Sequence, residues 1–149
     1  MNNKALNIAI GGDHAGFEYK KTLIPFLEGL GYNVTDFGPF NEESCDYPDF
    51  AHPLAESVAT EKNRFGILIC GSGNGVCFTA NKHPDIRATL CWNTDLAALA
   101  RQHNDANIIC LPSRFVDYAL AQKMVEVFLS TGFEGGRHQR RVDKVNIKQ

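Results

Sequence analysis

A cysteine stands where an unbroken apolar run gives way to a glycine-rich loop. Residues 65–70 end in Cys70, and the loop that follows consists of Gly71, Ser72, Gly73, Asn74 and Gly75. Backbone N–H groups in a loop between a strand and a helix can bind an anion, and the helix dipole assists. A thiol beside such a loop can serve as a base or a nucleophile near neutral pH. The alternative, a buried apolar cysteine that closes a strand, stays open on the residues alone.

Two pairs of polar residues offer further proton-transfer chemistry. Asp13 and His14 follow the first apolar run and Gly11-Gly12, and a carboxylate beside an imidazole suits proton transfer or hydroxyl binding. Asp13 could instead cap a helix, or do both. His103 closes a helical pattern, with Asn104 as its predicted C-terminal cap. His103 is therefore either a chemical group or a cation that stabilises the helix end through the dipole.

Arginines provide the candidate anion-binding groups. Arg140 and Arg141 lie three and four residues after Arg137, so these guanidinium groups share one side if the segment is helical. Planar guanidinium groups suit phosphate oxygens, although a solvated basic face is the alternative. Arg114 lies just past the last predicted strand, and ligands of parallel sheets bind at the carboxyl ends of strands.

Other ligand chemistries lack their motifs. Neither the Gly11-Gly12 pair nor the glycine loop at 71–75 matches a Walker loop or a GxGxxG dinucleotide fingerprint. The sequence contains no HExxH and no paired Cys/His quartet, so we expect no metal and no cofactor. Cys45, Cys77, Cys91 and Cys110 have no comparable neighbourhood, and we assign them to the core. An odd number of cysteines without CxxC spacing indicates free thiols in a reducing compartment.

Composition excludes several classes of protein. The 149 residues predict one domain spanning 1–149, and 44% hydrophobic and 21% charged residues are typical of a globular protein. A net charge of −2 gives no reason to expect nucleic acid as a partner. Residues 132–149 carry +3 and the rest −5, so the chain is an acidic body with a basic tail. No stretch approaches a membrane span or a signal peptide, and we expect a cytoplasmic protein.

The elements that position these groups alternate between strand and helix. Predicted strands cover 6–10, 33–37, 65–70, 86–91 and 108–111, and helical patterns cover 17–30, 48–62, 76–82, 94–103 and 116–129, with Thr94 and Asp95 as capping candidates. A last short basic helix follows Gly135-Gly136, within about 135–148. Apolar strands alternating with helices predict an α/β fold: a single Rossmann-like doubly wound domain, with a five-stranded parallel sheet and helices on both faces.

Seven motifs together carry a family resemblance. GGDHAG, DYP, ICGSGNG, ANK, RQHNDAN, SR and GGRHQRR occur in this order over nearly the whole chain. In this the chain resembles the ribose-5-phosphate isomerase B family, within the group that includes galactose-6-phosphate isomerase subunits. The resemblance implies an aldose–ketose isomerase of the pentose phosphate pathway, which interconverts ribose 5-phosphate and ribulose 5-phosphate through a metal-free enediolate.

The resemblance also implies roles for individual residues. Cys70 corresponds to the base that moves a proton between C1 and C2, and the loop from Gly71 to Gly75, with the Ser72 hydroxyl, to the group that stabilises the oxyanion. His103, aided by Asp13, corresponds to the acid/base that opens the sugar ring. Sugar hydroxyls are assigned to Asp13, Tyr47 and Asn104, and the phosphate to His14, Arg114, Arg137 and Arg141.

Two positions depart from the family pattern. Relatives without the cysteine place a Glu base directly after the glycine loop, where this chain has Val76, so the chain follows the cysteine type. Pro112 replaces the glycine that many members have before the Ser-Arg pair, which stiffens the approach to Arg114 without removing it.

The resemblance implies a homodimer, or a tetramer, whose active sites are shared and whose basic C-terminal helix reaches a partner subunit. Two other functions stay open. The same chemistry could act on a six-carbon phosphosugar such as allose 6-phosphate. The glycine loop and basic tail would also suit a nucleotide- or phosphate-sensing module without turnover.

Overall fold

Five parallel strands form one sheet in a computed structural model that describes residues 5–148. The strands are β1 (Asn7–Gly12), β2 (Asn33–Asp36), β3 (Phe65–Cys70), β4 (Ala88–Leu90) and β5 (Ile108–Pro112). Their order across the sheet is β2-β1-β3-β5-β4, and every neighbouring pair is parallel. The chain therefore reverses its direction of travel across the sheet at β1 and β3, the position at which such folds bind ligands.

Helices cover both faces of the sheet. They are α1 (Phe17–Gly29), α2 (Pro48–Ala59), α3 (Asn74–Ala80), α4 (Thr94–Asn104), α5 (Tyr118–Ser130) and α6 (Arg137–Val142), with a 3₁₀ turn at His14–Gly16. Successive strand residues point to opposite faces. Thus Ile67 and Ile69 pack against α1, α4 and α5, whereas Leu68 and Cys70 pack against α2 and α3. The expected doubly wound α/β fold is confirmed.

Several element ends differ from the sequence-based expectation. Asn93, not Thr94 or Asp95, caps α4, because its side chain accepts a hydrogen bond from the Leu96 N–H at 2.9 Å. The left-handed residue that ends α4 is Asp105, not Asn104, since α4 runs one residue further than predicted.

The C-terminal region is less helical than expected. Only Arg137–Val142 of the predicted 135–148 segment forms a helix. The Asn146 side-chain amide donates to the Asp85 carboxylate at 2.7 Å and accepts from the Asp85 N–H at 3.4 Å, which holds the following residues against the body of the same chain. The predicted domain also includes residues 1–4 and 149, which lie outside the described residues. No helix within residues 5–148 has the length and apolar composition needed to cross a bilayer.

Glycines let the chain after β1 lie directly on β3. Gly11 and Gly12 continue β1 beyond its predicted end and pair with Leu68 and Ile69. A Cβ atom on Gly12 would lie 1.9 Å from the Ile69 carbonyl oxygen, and one on Gly16 would lie 2.4 Å from the same atom. Any side chain at either position would push apart the two strands that carry the candidate site.

We predict that Gly12→Ala destabilises the protein by about 1–3 kcal/mol or more, because the clash is with backbone that cannot move aside. Gly29→Ala is the matched control, since a Cβ there meets nothing within 4 Å. It should leave stability unchanged or raise it by up to about 1 kcal/mol. Urea unfolding measures both, and equal stability of the two variants would contradict this account of Gly12.

Candidate active site

The carboxyl ends of three adjacent strands bring most of the candidate residues to one edge of the sheet. Asp13 follows β1, the loop from Gly71 follows β3, and Arg114 follows β5. The three segments are joined by backbone hydrogen bonds: Asp13 N–H donates to Ile69 O at 3.1 Å, and Arg114 N–H donates to Gly71 O at 3.0 Å. We call this edge the carboxyl edge.

The sulfur of Cys70 lies beneath the glycine loop. Cys70 is 4% exposed, and the Gly73 N–H donates a hydrogen bond to its Sγ at 3.2 Å. A backbone donor directed at sulfur stabilises negative charge there. Gly73 has φ +77°, and a Cβ on it would lie 2.4 Å from the Leu90 side chain. The geometry that directs this N–H at the sulfur therefore requires glycine.

Two further glycines of the loop are in close contact with candidate binding side chains. A Cβ on Gly71 would lie 3.0 Å from a guanidinium nitrogen of Arg114, and a Cβ on Gly75 would lie 2.5 Å from the Tyr47 ring. Arg114 and Tyr47 thus lie flat against the loop backbone. An exposed guanidinium and an exposed phenol next to the same loop provide one cation and one hydroxyl for a bound anion or sugar.

Asp13 and His14 are held in defined roles. The Asp13 carboxylate accepts a hydrogen bond from the Ala15 N–H at 2.9 Å, so the predicted capping role is confirmed, here of the 3₁₀ turn. The Cys45 N–H donates to Nδ1 of His14 at 3.2 Å. In a neutral imidazole this leaves Nε2 as the protonated nitrogen, available as a donor to a ligand.

Ser113 is a positioning residue that the sequence reasoning missed. Its hydroxyl donates to the carbonyl oxygens of Ala15 at 2.8 Å and Cys70 at 3.2 Å, and its own N–H donates to Cys70 O at 2.9 Å. One side chain after β5 thus ties the segments after β1 and β3 together. Its position directly after β5 and before Arg114 could have indicated this role.

Of the four cysteines assigned to the core, Cys91 and Cys110 are buried as expected, whereas Cys45 and Cys77 are only half-buried. Burial raises the pKa of Cys91 to about 11 and raises that of Cys110 well above its usual range. Burial also raises the pKa of Cys45, whereas a hydrogen bond with Cys110 lowers that of Cys77. All five thiols are free.

His103 and Asn104 lie at the opposite edge of the sheet, which we call the amino edge. They end α4, which begins after β4 and must return to the start of β5. Cys70 pairs with Pro112, which is four residues along β5 from the start of that strand at Ile108. Four strand residues span about 13 Å. His103 and Cys70 of one chain therefore cannot both contact the same atom of a bound ligand.

The amino edge carries its own cluster. Nε2 of His103 and Nε2 of His138 each lie 3.7 Å from the same carboxylate oxygen of Glu134. The two imidazole rings are stacked, with centroids 4.2 Å apart and planes 13° apart. Burial, followed by the charges of His103 and Arg137, lowers the pKa of His138. Glu134 and His138 were not identified from sequence, because only the fold brings them to His103.

Arg141 and Asn104 line a cavity of about 610 Å³ at the amino edge. A guanidinium nitrogen of Arg141 lies 3.4 Å from the carbonyl oxygen of Arg137, one helical turn earlier. The candidate residues thus form two groups. The carboxyl edge holds Asp13, His14, Tyr47, Cys70, Gly71, Ser72, Gly73, Asn74, Gly75 and Arg114, and the amino edge holds His103, Asn104, Arg137 and Arg141.

Comparisons with known proteins agree with the family resemblance of the sequence. The family model described as Ribose/Galactose Isomerase matches residues 8–145. The chain is 47% identical to a probable ribose-5-phosphate isomerase B of Mycoplasma genitalium, over 95% of this chain and 94% of that protein.

Solved structures agree as well. The ribose-5-phosphate isomerase B of Clostridium thermocellum superposes with a TM-score of 0.93 at 46% identity, over 94% of this chain and 95% of that one. The ribose-5-phosphate isomerase B of Mycoplasma genitalium with bound ribulose-5-phosphate superposes with a TM-score of 0.92 at 46% identity, over 96% of this chain and 95% of that one.

The capping role of Asp13 can be tested through stability, independently of any role in binding a ligand. Asp13→Ala should lower the free energy of unfolding by about 0.5–2 kcal/mol, because the Ala15 N–H loses its acceptor. Asp13→Asn retains an acceptor oxygen and should keep most of that stability. Urea unfolding of both variants measures the difference, and an equal loss in the two would contradict the capping role.

Proposed function

We propose that this chain, which belongs to the ribose/galactose isomerase family, interconverts ribose 5-phosphate and ribulose 5-phosphate. The observation that carries the proposal is Cys70, whose Sγ receives the Gly73 N–H at 3.2 Å at the end of the central strand β3. The bound ribulose-5-phosphate in the Mycoplasma genitalium structure supports the choice of substrate.

The chemistry follows from a thiolate placed beside backbone donors. The Cys70 thiolate removes the proton from C2 of the open-chain aldose and returns it to C1. A second proton passes from the C2 hydroxyl to the C1 oxygen, so the carbonyl moves from C1 to C2 and no proton is gained or lost overall. Negative charge develops on oxygen in the enediolate between these steps. The loop from Gly71 to Gly75, with the Ser72 hydroxyl, stabilises that oxygen. A positioned base contributes about 10²–10⁴-fold and an oxyanion donor about 10²–10³-fold, so the reaction needs both.

This reaction needs no metal and no cofactor in its mechanism, because a protein base and protein donors supply every step. Tyr47 and Asp13 at the carboxyl edge hold sugar hydroxyls. His14 and Arg114 at the same edge provide donors for the phosphate, and the exposed Arg114 guanidinium against Gly71 supports this assignment. The free state of all five cysteines supports a reducing compartment, and we place the reaction in the cytoplasm.

Two copies of the chain complete each active site. Ring opening requires an acid/base, assigned to His103, but His103 lies at the amino edge, away from Cys70. A homodimer that sets the amino edge of one copy against the carboxyl edge of the other brings both groups to one sugar. It also brings Asn104 to the hydroxyls and Arg137 and Arg141 to the phosphate. The exposed position of α6 on the amino edge supports this arrangement.

Replacing the base tests the reaction. Cys70→Ala should lower kcat by about 10²–10⁴-fold in a coupled assay with ribose 5-phosphate and excess EDTA, because proton abstraction loses its base. Cys91→Ala is the matched control, since Cys91 is also buried but packs on the opposite face of the sheet. It should retain turnover. Wild-type turnover by Cys70→Ala, with an intact fold by circular dichroism, would refute the assignment.

Mixing two inactive variants tests the shared site. Cys70→Ala and His103→Ala should each lose activity, and a mixture unfolded and refolded together should regain about a quarter of wild-type activity. Half of the dimers are then mixed, and each mixed dimer has one site with both groups intact. The two variants refolded separately are the control. No recovery in the mixture, with dimers formed, would contradict a site built from two copies.

A further inference from the structure

We propose that His103, Glu134 and His138 form a binding site for Zn²⁺ or a similar borderline divalent cation, and that occupation of this site inhibits turnover. The inhibitory part rests on the proposed function, because it requires His103 to act in the reaction. The binding part stands on the geometry of the amino edge alone.

The donor atoms of the three side chains lie close to one another. Each side chain offers one ligand atom, and the three atoms all lie within 4.8 Å of one another. Both Nε2 atoms lie 3.7 Å from Oε1 of Glu134. Ligand atoms bound to a common zinc at about 2.0–2.2 Å in a tetrahedron lie closer together than these distances. Closing the site therefore requires the donor atoms to approach one another and the two stacked rings to tilt.

The donor types match zinc rather than a hard cation. Two imidazoles and one carboxylate make up a ligand set found in catalytic zinc sites, which leave a fourth position open. Calcium and magnesium prefer oxygen ligands alone, and this cluster offers a single carboxylate. Imidazole nitrogens favour zinc, copper and nickel.

The backbone holds Glu134 and His138 in place for this role. The Glu134 N–H donates to the Gln102 carbonyl oxygen at 3.0 Å, which fixes the segment to the end of α4 beside His103. Gly135 and Gly136, with φ +67° and +55°, then turn the chain into α6. As a result His138 folds back to Glu134, and its side chain is only 12% exposed.

Two features weaken the affinity of this site for a cation. A bound ion lies near the plane of each imidazole that ligates it, so the stacked rings must tilt apart before both can bind. The neighbouring Arg137 and Arg141 also repel a cation. The same position explains the inhibition: an ion on Nε2 of His103 occupies a nitrogen that acid/base chemistry needs and pins the ring in place.

Titration calorimetry with Zn²⁺ on the metal-stripped, full-length protein tests the binding. Glu134→Gln and His138→Gln should each weaken the affinity by at least about 10–100-fold, the cost of losing even an outer-shell partner. His83→Gln is the matched control. In a second group of two imidazoles and a carboxylate, Nε2 of His83 lies 2.7 Å from His52, whereas Nδ1 lies 3.6 Å from Glu56. Because His83 faces its two partners with different ring nitrogens, this group does not offer three donor atoms to one ion. The His83→Gln variant should bind Zn²⁺ as wild type does.

Turnover gives the second readout. Zn²⁺ should inhibit wild type and His83→Gln reversibly, with EDTA restoring the rate, and His138→Gln should resist inhibition relative to its own rate in EDTA. Equal Zn²⁺ affinity in all variants would overturn the site. Site-specific binding that leaves turnover unchanged would overturn the inhibition. Absence of turnover in EDTA would count against the proposed function instead, and the calorimetric result would still decide the site.

Discussion

The direction of the strands is the constraint on which this molecule depends. In a parallel sheet every strand ends at the same edge, and every connecting helix must return the chain to the other edge. Cys70 is the last residue of a strand, and His103 lies in the helix that precedes one. Chain direction alone therefore separates Cys70 from His103 within one copy. For this reason the reaction that we propose, which uses both groups, includes a second copy that supplies the missing edge.

Close backbone packing makes the carboxyl edge precise. Gly12 and Gly16 let the segment after β1 lie on the Ile69 carbonyl, and the Ser113 hydroxyl joins that segment to the one after β3. Gly73 then directs its N–H at the Cys70 sulfur. These contacts fix donor and sulfur before any ligand arrives, and such preorganisation is the main source of electrostatic stabilisation in enzymes.

The sequence predicted the sheet, the helices and those residues of the carboxyl edge that follow strands, because apolar periodicity and strand ends are local signals. Tyr47, at the start of α2, was identified only through the family resemblance. It did not predict Glu134 and His138 beside His103, since that cluster joins residues about 30 positions apart through the docking of the segment before α6 on α4. The predicted N-terminal cap of α4 was wrong for a similar reason. Asn93 and Thr94 are both good caps, and only the backbone conformation at Asn93 selects between them.

A crystal structure of the protein with ribose 5-phosphate bound would show both halves of the proposed site at once. We expect the Cys70 sulfur about 3–3.5 Å from C1 and C2, a near-attack distance. We also expect Arg137 and Arg141 of a second copy to bind the phosphate. A sugar held entirely by one chain, or with C1 and C2 remote from Cys70, would contradict this proposal.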